Sequence, residues 1–201
     1  MSRPLPRFRL PTLLFGLSLA FALAAGVLLW RVAASDFSGP AASTGIGGPF
    51  ALTDQDRHAR TDRDFRGRWM LVYFGYTFCP DVCPTTLQTI ADALRGLGPK
   101  AHEIVPLFVS VDPARDRPAV LKKYLAAFGP EFVGLTGSPA QIAAVARAYR
   151  VYYARHNLPG GAYSIDHADT LYLMTPDGRF DSLLDGHEGA AALKQQLAAK
   201  L

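Results

Sequence analysis

From about residue 49 onward, apolar and polar positions alternate between two periods. Trp69, Met70, Leu71, Val72, Tyr73 and Phe74 make a short unbroken apolar run, the pattern of a strand buried on both faces. Residues 84–98 change to a helical period: Leu87, Ile90, Leu94 and Leu97 share one side, Pro84 opens the segment and Gly98 ends it. Residues 104–111 repeat the buried-strand pattern. Pro118 starts a second helix, in which Val120, Leu121, Tyr124, Leu125 and Phe128 are expected to face inward before Gly129. A short strand is predicted over 132–135. Ser138 and Pro139 then supply an N-cap and a first-turn proline for a helix through Ile142, Val145 and Tyr149. Residues 171–174 and 180–184, joined by the turn Pro176, Asp177 and Gly178, read as a closing hairpin, and a last helix starts near Glu188. An early hairpin is expected around Asp56, Arg57 and His58. Strands alternating with helices imply crossover units, so the expected class is α/β: a mostly parallel sheet closed by an antiparallel hairpin and sandwiched by helices. Ligand sites in such sheets lie at the carboxyl ends of the strands.

The amino-terminal part follows another pattern. Residues 10–30 carry no charge and are rich in Leu, Phe, Ala and Val, 21 residues against the roughly 20 that cross a bilayer core. Arg3, Arg7 and Arg9 precede this stretch and Arg31 follows it, which predicts a cytoplasmic amino terminus and an exported remainder. A cleaved signal peptide ending near Ala22, Leu23 and Ala24 is the rival. Val27, Leu28, Leu29 and Trp30 prolong the apolar run and favour a retained anchor. No cysteine lies near the span, so a lipoprotein anchor is not expected. The organisation expected is therefore a basic tail over 1–9, a transmembrane anchor over 10–30, a Gly/Ala/Ser-rich flexible linker over 31–48 and a folded domain over 49–201.

Charge then loses most of its meaning. The chain has 21 Lys and Arg against 17 Asp and Glu, but four of the basic residues precede Asp36, the first acidic one, which leaves 17 against 17 beyond them. The basic balance belongs to the membrane flank and gives no support to nucleic-acid binding. Apolar residues at 49% exclude a disordered chain.

Chemistry concentrates in the run Cys79, Pro80, Asp81, Val82 and Cys83, which holds both cysteines. Two cysteines cannot make a multi-disulfide scaffold. The pair falls after the first buried strand, with Cys83 expected just before the helix, where the dipole and free N–H groups lower a thiol pKa. Three intervening residues allow a disulfide, a dithiol or a metal site. They give a wider mouth than the two-residue gap of thioredoxin-type dithiols and suit an ion between the sulfurs. Two thiolates seldom close a zinc site, whereas soft thiolates with one imidazole suit copper. His167, in what reads as a loop before a strand, is one candidate imidazole. His58, His102, His156 and His187 read as surface residues, His156 within a Pro/Gly-rich loop.

These segments together resemble the Sco/SenC family of copper-binding thioredoxin-like proteins. The resemblance runs from about Gly47 to the carboxyl terminus. It is carried by Gly48, Pro49 and Phe50, the stretch from Val72 through Tyr76 to Thr86, Val111, Asp112 and Pro113 with Arg115 and Asp116, the run from Ala148 to Tyr153, Asp166 with His167, and Tyr172 to Met174 with Pro176, Asp177 and Gly178. It implies a thioredoxin-like sandwich, a central mixed sheet flanked by helices, behind the anchor. It also implies a copper ion, Cu(I) or Cu(II), held by Cys79, Cys83 and His167. Asp166 is then expected to orient the His167 ring and Asp81 to shape the charge of the site. The family implies a metallochaperone delivering copper to the binuclear site of cytochrome c oxidase subunit II, in the periplasm of a bacterium and anchored in its inner membrane. A thiol reductase and another periplasmic copper carrier are the further partners expected. The alternative is a thiol–disulfide oxidoreductase that reduces the acceptor's cysteines, so enzymatic activity stays open; a copper or redox sensor is a third role.

Overall fold

The structure, a computed structural model, describes residues 45–201. The expected tail and anchor, and most of the expected linker, lie outside the described residues. Among the described residues no helix is long and apolar enough to cross a membrane.

Among the described residues nine strands and four α-helices follow one another as β1 (Ala51–Asp54), β2 (Ala59–Thr61), β3 (Trp69–Gly75), α1 (Val82–Leu97), β4 (Ile104–Ser110), α2 (Pro118–Leu125), β5 (Val133–Thr136), α3 (Pro139–Ala148), β6 (Tyr153–Asn157), β7 (Tyr163–His167), β8 (Leu171–Met174), β9 (Phe180–Leu184) and α4 (Ala190–Ala198). Seven strands form one sheet in the order β2-β1-β5-β4-β3-β8-β9. Only β3–β4 and β4–β5 are parallel. The ladders β1–β2, β1–β5, β3–β8 and β8–β9 are antiparallel, so the sheet is mixed rather than mostly parallel. The physical reason is connectivity. Helical crossovers join β3 to β4 and β4 to β5, while the hairpins at either end of the domain add strands by tight turns, which only antiparallel pairing permits.

The two central strands are the unbroken apolar runs of the sequence. Every residue of β4 is buried, as is all of β3 after Trp69. In α1 the buried positions Leu87, Ile90, Ala91 and Leu94 recur at helical spacing. A fully buried leucine such as Leu87 contributes about 1.5–3 kcal/mol relative to exposure. The helix packs against α4. The rings of Phe74, Tyr149 and Tyr172 form a cluster with centroids 5.4–5.8 Å apart. α3 has the expected cap: the Ser138 hydroxyl accepts the Gln141 N–H at 3.3 Å, and the Ser138 N–H donates back to Gln141 Oε1 at 2.8 Å. At the amino-terminal edge, the Gly47 N–H donates to the Ala148 carbonyl at 2.8 Å.

Three local expectations are corrected. α1 begins at Val82, so Cys83 lies inside its first turn and Pro84 follows; proline fits there because first-turn N–H groups have no partner within the helix. α2 ends at Leu125, and Val120, expected inside, is 36% exposed. The stretch around His156, read as a loop, is the hairpin β6–β7, a separate two-stranded sheet with His167 at its end.

Candidate metal centre

Strand β3 runs through the sheet centre and delivers the chain to its carboxyl edge, where the loop 76–81 turns into α1. Cys79 sits half-buried in that loop and Cys83 is fully buried in the first helical turn. The loop is pinned from below by Asp116, itself fully buried. One oxygen of its carboxylate accepts the Thr77 N–H at 3.0 Å and the Ser110 hydroxyl at 2.6 Å; the other accepts the Thr77 hydroxyl at 2.6 Å. Burial still pushes the Asp116 carboxyl above its ordinary value, and these bonds offset only part of that.

His167 reaches the same place from β7. Its Nε2 lies 3.2 Å from Cys83 Sγ, and its Nδ1 lies 3.0 Å from the Ala168 carbonyl. A carbonyl only accepts, so Nδ1 carries the proton and Nε2 turns a lone pair toward the sulfurs. The rings of Tyr73 and Tyr76 meet the imidazole edge-on, at centroid distances of 6.1 and 5.8 Å. The Cys83 N–H, one of the free donors of the helix start, points at Cys79 Sγ at 3.4 Å. The donor atoms of Cys79, Cys83 and His167 all lie within 4.8 Å of one another, and the three could hold a metal ion. Gly75 makes room for them: a Cβ there would stand 2.9 Å from Cys83 Sγ and 2.8 Å from the Phe108 ring.

Burial dominates the electrostatics. It pushes the Cys83 thiol well above its ordinary value, and the neighbouring Cys79 adds to that. The lowering expected from the helix start is outweighed because Cys83 sits inside the turn, away from water. Burial likewise raises the Tyr73 phenol, with Cys83 and Asp169 nearby.

Asp166 lies differently from expectation, and Asp81 takes the cap position beside the cysteine loop. Asp166 is exposed and its carboxylate pairs with His156 Nε2 at 2.9 Å; the group on His167 Nδ1 is the Ala168 carbonyl. Neighbours in a strand point to opposite faces, so the Asp166 carboxylate turns from the His167 ring although both residues border the same cavity. Asp81 occupies the N-cap of α1, where its carbonyl, rather than its side chain, accepts the Thr85 N–H and hydroxyl. Two residues not singled out from sequence border the centre. His187 pairs with Asp169, and both line, with Cys79, Val82 and His167, a cavity of about 350 Å³ that opens the site to solvent. Their chain separation gave no local signal of this proximity.

The described fold has close counterparts. Copper-bound ScoI of Bradyrhizobium japonicum superimposes with a TM-score of 0.73 at 46% identity, over 78% of this chain and 99% of that one. Copper-bound yeast Sco1 does so with a TM-score of 0.71 at 36% identity, over 77% and 87%. SenC of Rhodobacter capsulatus is 45% identical over 135 residues, covering 67% of this chain and 61% of SenC. The mitochondrial SCO1 homolog of Arabidopsis thaliana is 41% identical over 160 residues, covering 74% of this chain and 48% of the relative. The chain spans about half the length of several curated relatives it matches. The SCO1/SenC family pattern itself matches residues 38–201. A mixed thioredoxin-like sheet, a cysteine pair at its carboxyl edge and this extent of similarity lead to one conclusion: the chain belongs to the SCO1/SenC family.

Proposed function

We propose that this protein is a copper metallochaperone, and that Cys79, Cys83 and His167 hold one copper ion as cargo. The observation that carries this is the convergence of two sulfurs and one imidazole nitrogen within 4.8 Å. Soft sulfur donors with a neutral imidazole suit Cu(I) in a low-coordinate site, and Cu(II) adds a weak oxygen ligand or water. The difference in burial gives the cargo an exit. Cys79 lies at the wall of the solvent-open cavity while Cys83 is closed off, so an acceptor thiolate displaces Cys79 first. The acceptor proposed is the binuclear copper site of cytochrome c oxidase subunit II, with a thiol reductase and a second periplasmic carrier as supporting partners. Residues 10–30 would tether the domain on the outer face of the bacterial inner membrane and raise its effective concentration near a membrane-bound acceptor.

A second reading is favoured by the proximity of the two sulfurs themselves. In this role a thiolate of the pair attacks an acceptor disulfide and forms a mixed disulfide. The other then displaces the acceptor, leaving a Cys79–Cys83 disulfide and two acceptor thiols. A separate thiol reductant returns the two electrons.

The deciding experiment titrates Cu(I) against a competing chelator into the reduced, oxygen-free protein, its Cys79→Ala variant and its His167→Ala variant. Tight one-to-one binding lost in both variants is expected. Wild-type affinity in His167→Ala would remove the imidazole from the site, and weak binding throughout with a readily cycled disulfide would favour the reductase.

A further inference from the structure

His167 is held unlike the cysteines. The cysteine loop leaves the central sheet directly and is pinned by Asp116. The hairpin β6–β7 pairs only with itself, so no backbone ladder fixes His167 relative to the sulfurs. Ile165 is the single fully buried side chain of its two strands. Ile165 reaches the core and Tyr153 and Tyr163 pack against it, beside a cavity of about 200 Å³ lined from the hairpin by Tyr153 and Ile165 and from the body by Val111 and Ile142. Three side chains supply the hairpin's apolar packing, and specific side-chain links complete its placement.

Most of those links pass through Arg115. Its guanidinium carbon lies 3.6 Å from the Tyr163 ring centroid, 4.6 Å from that of Phe78 and 5.7 Å from that of Tyr76. One terminal nitrogen donates to the Tyr163 carbonyl at 3.1 Å, and Nε donates to the Asp112 carboxylate. The other oxygen of Asp112 accepts the Tyr163 hydroxyl at 2.8 Å. Tyr163 opens β7, the strand that ends in His167, and Phe78 precedes Cys79. A planar, five-donor guanidinium can stack and donate in several directions at once, which a lysine ammonium cannot. A weaker second latch is the Ile165 N–H on the Tyr76 hydroxyl at 3.4 Å.

We propose that Arg115 is a positioning residue: it clamps the β6–β7 hairpin against the cysteine loop and thereby sets where the His167 imidazole stands. Its consequence for copper rests on the site proposed above; its consequence for the hairpin does not. Asp116 anchors the start of the cysteine loop at Thr77 without Arg115, so the effect of Arg115 on metal affinity is expected to pass mainly through His167.

The test uses the full-length protein with Arg115→Gln, Arg115→Lys and, from the hairpin side, Tyr163→Leu. Amide hydrogen exchange on the metal-free protein is expected to be roughly tenfold faster across β6 and β7 in each variant, with β3 and β4 unchanged. Cu(I) affinity is expected to fall about tenfold, the usual scale for a group that orients a ligand, and to change by less than about twofold when Arg115→Gln is added to His167→Ala. Unchanged hairpin exchange, acceleration of β3 and β4 as large as that of the hairpin, full rescue by lysine, or equal affinity losses in both backgrounds would each overturn the clamp. If the wild type binds no Cu(I), the copper reading falls, while the exchange pattern alone still decides the clamp.

Discussion

Gly75 shows how closely a single residue can bind fold to chemistry. It ends β3, and its missing side chain is the space that Cys83 Sγ and the Phe108 ring occupy. Gly75→Ala is expected to cost about 1–3 kcal/mol of stability, as overpacking of a close-packed site does. It should also move Cys83 Sγ from His167 and weaken Cu(I) binding. Urea unfolding and chelator competition on the one variant check both. At this scale the identities of the cysteines and of His167 stood in the sequence, whereas the partners of Asp166 and Cys83 did not. Asp166 neighbours His167 in the chain yet faces His156, because alternation along a strand separates adjacent side chains. Cys83 sits at a helix start, but its burial outweighs that position and pushes its thiol up.

At the scale of elements, the turn from β1 to β2 gives a pH-dependent prediction. Arg57 there takes a left-handed φ of 68°, unusual for a side chain other than glycine. Asp54 holds this turn: one carboxylate oxygen accepts the N–H groups of Asp56 and His58, each at 2.9 Å, and the other accepts Arg60 Nε at 2.8 Å. Burial alone would raise its pKa, but the His58 N–H and the Arg60 pair outweigh it and hold the carboxyl below its ordinary 3.8. A depressed folded value means the native state releases its proton more readily than the unfolded chain. The resulting stability is fully present above pH 3.8 and is lost as pH falls through the folded value. Asp54→Asn keeps an acceptor for the turn and removes the charge facing Arg60. It should be about 1–2 kcal/mol less stable at neutral pH, a gap that closes below pH 3.8 in urea titrations. The strongly periodic elements were legible beforehand: α3 and the strands β3, β4 and β8 fall where their patterns put them, and α1 differs only in starting at Val82. The β6–β7 hairpin was not, since its side chains are mostly polar and only Ile165 is buried, which leaves no clear alternation. The signal that could have found it was Pro159, Gly160 and Gly161, a turn between Tyr152 and Tyr153 on one side and Tyr163 and Ile165 on the other.

For the whole molecule, the donors come from three separately supported pieces: the loop, the first turn of α1 and the end of β7. An ion that joins all three binds the folded chain more tightly than the unfolded one, which keeps only the neighbouring cysteines as ligands, so loading stabilises the domain. With free Cu(I) held about a hundredfold above its dissociation constant, the gain is at most about 2.7 kcal/mol. Thermal unfolding should show a higher Tm for the loaded protein, reversed by a Cu(I) chelator, and a much smaller shift for His167→Ala. An equal shift in that variant would place the ion elsewhere. The sequence by itself determined the central strands, the main helices and the position of the cysteine pair at a strand's carboxyl end. Each of these follows from interactions among near neighbours in the chain and from which face is apolar. Only the tertiary structure decided that the sheet is mixed, that Cys83 is sealed from water, and that His167, 84 residues beyond it, brings its Nε2 to within 3.2 Å of the sulfur. Those outcomes depend on how distant elements pack, and a local pattern of apolar and polar positions carries no record of which distant surface each element will meet.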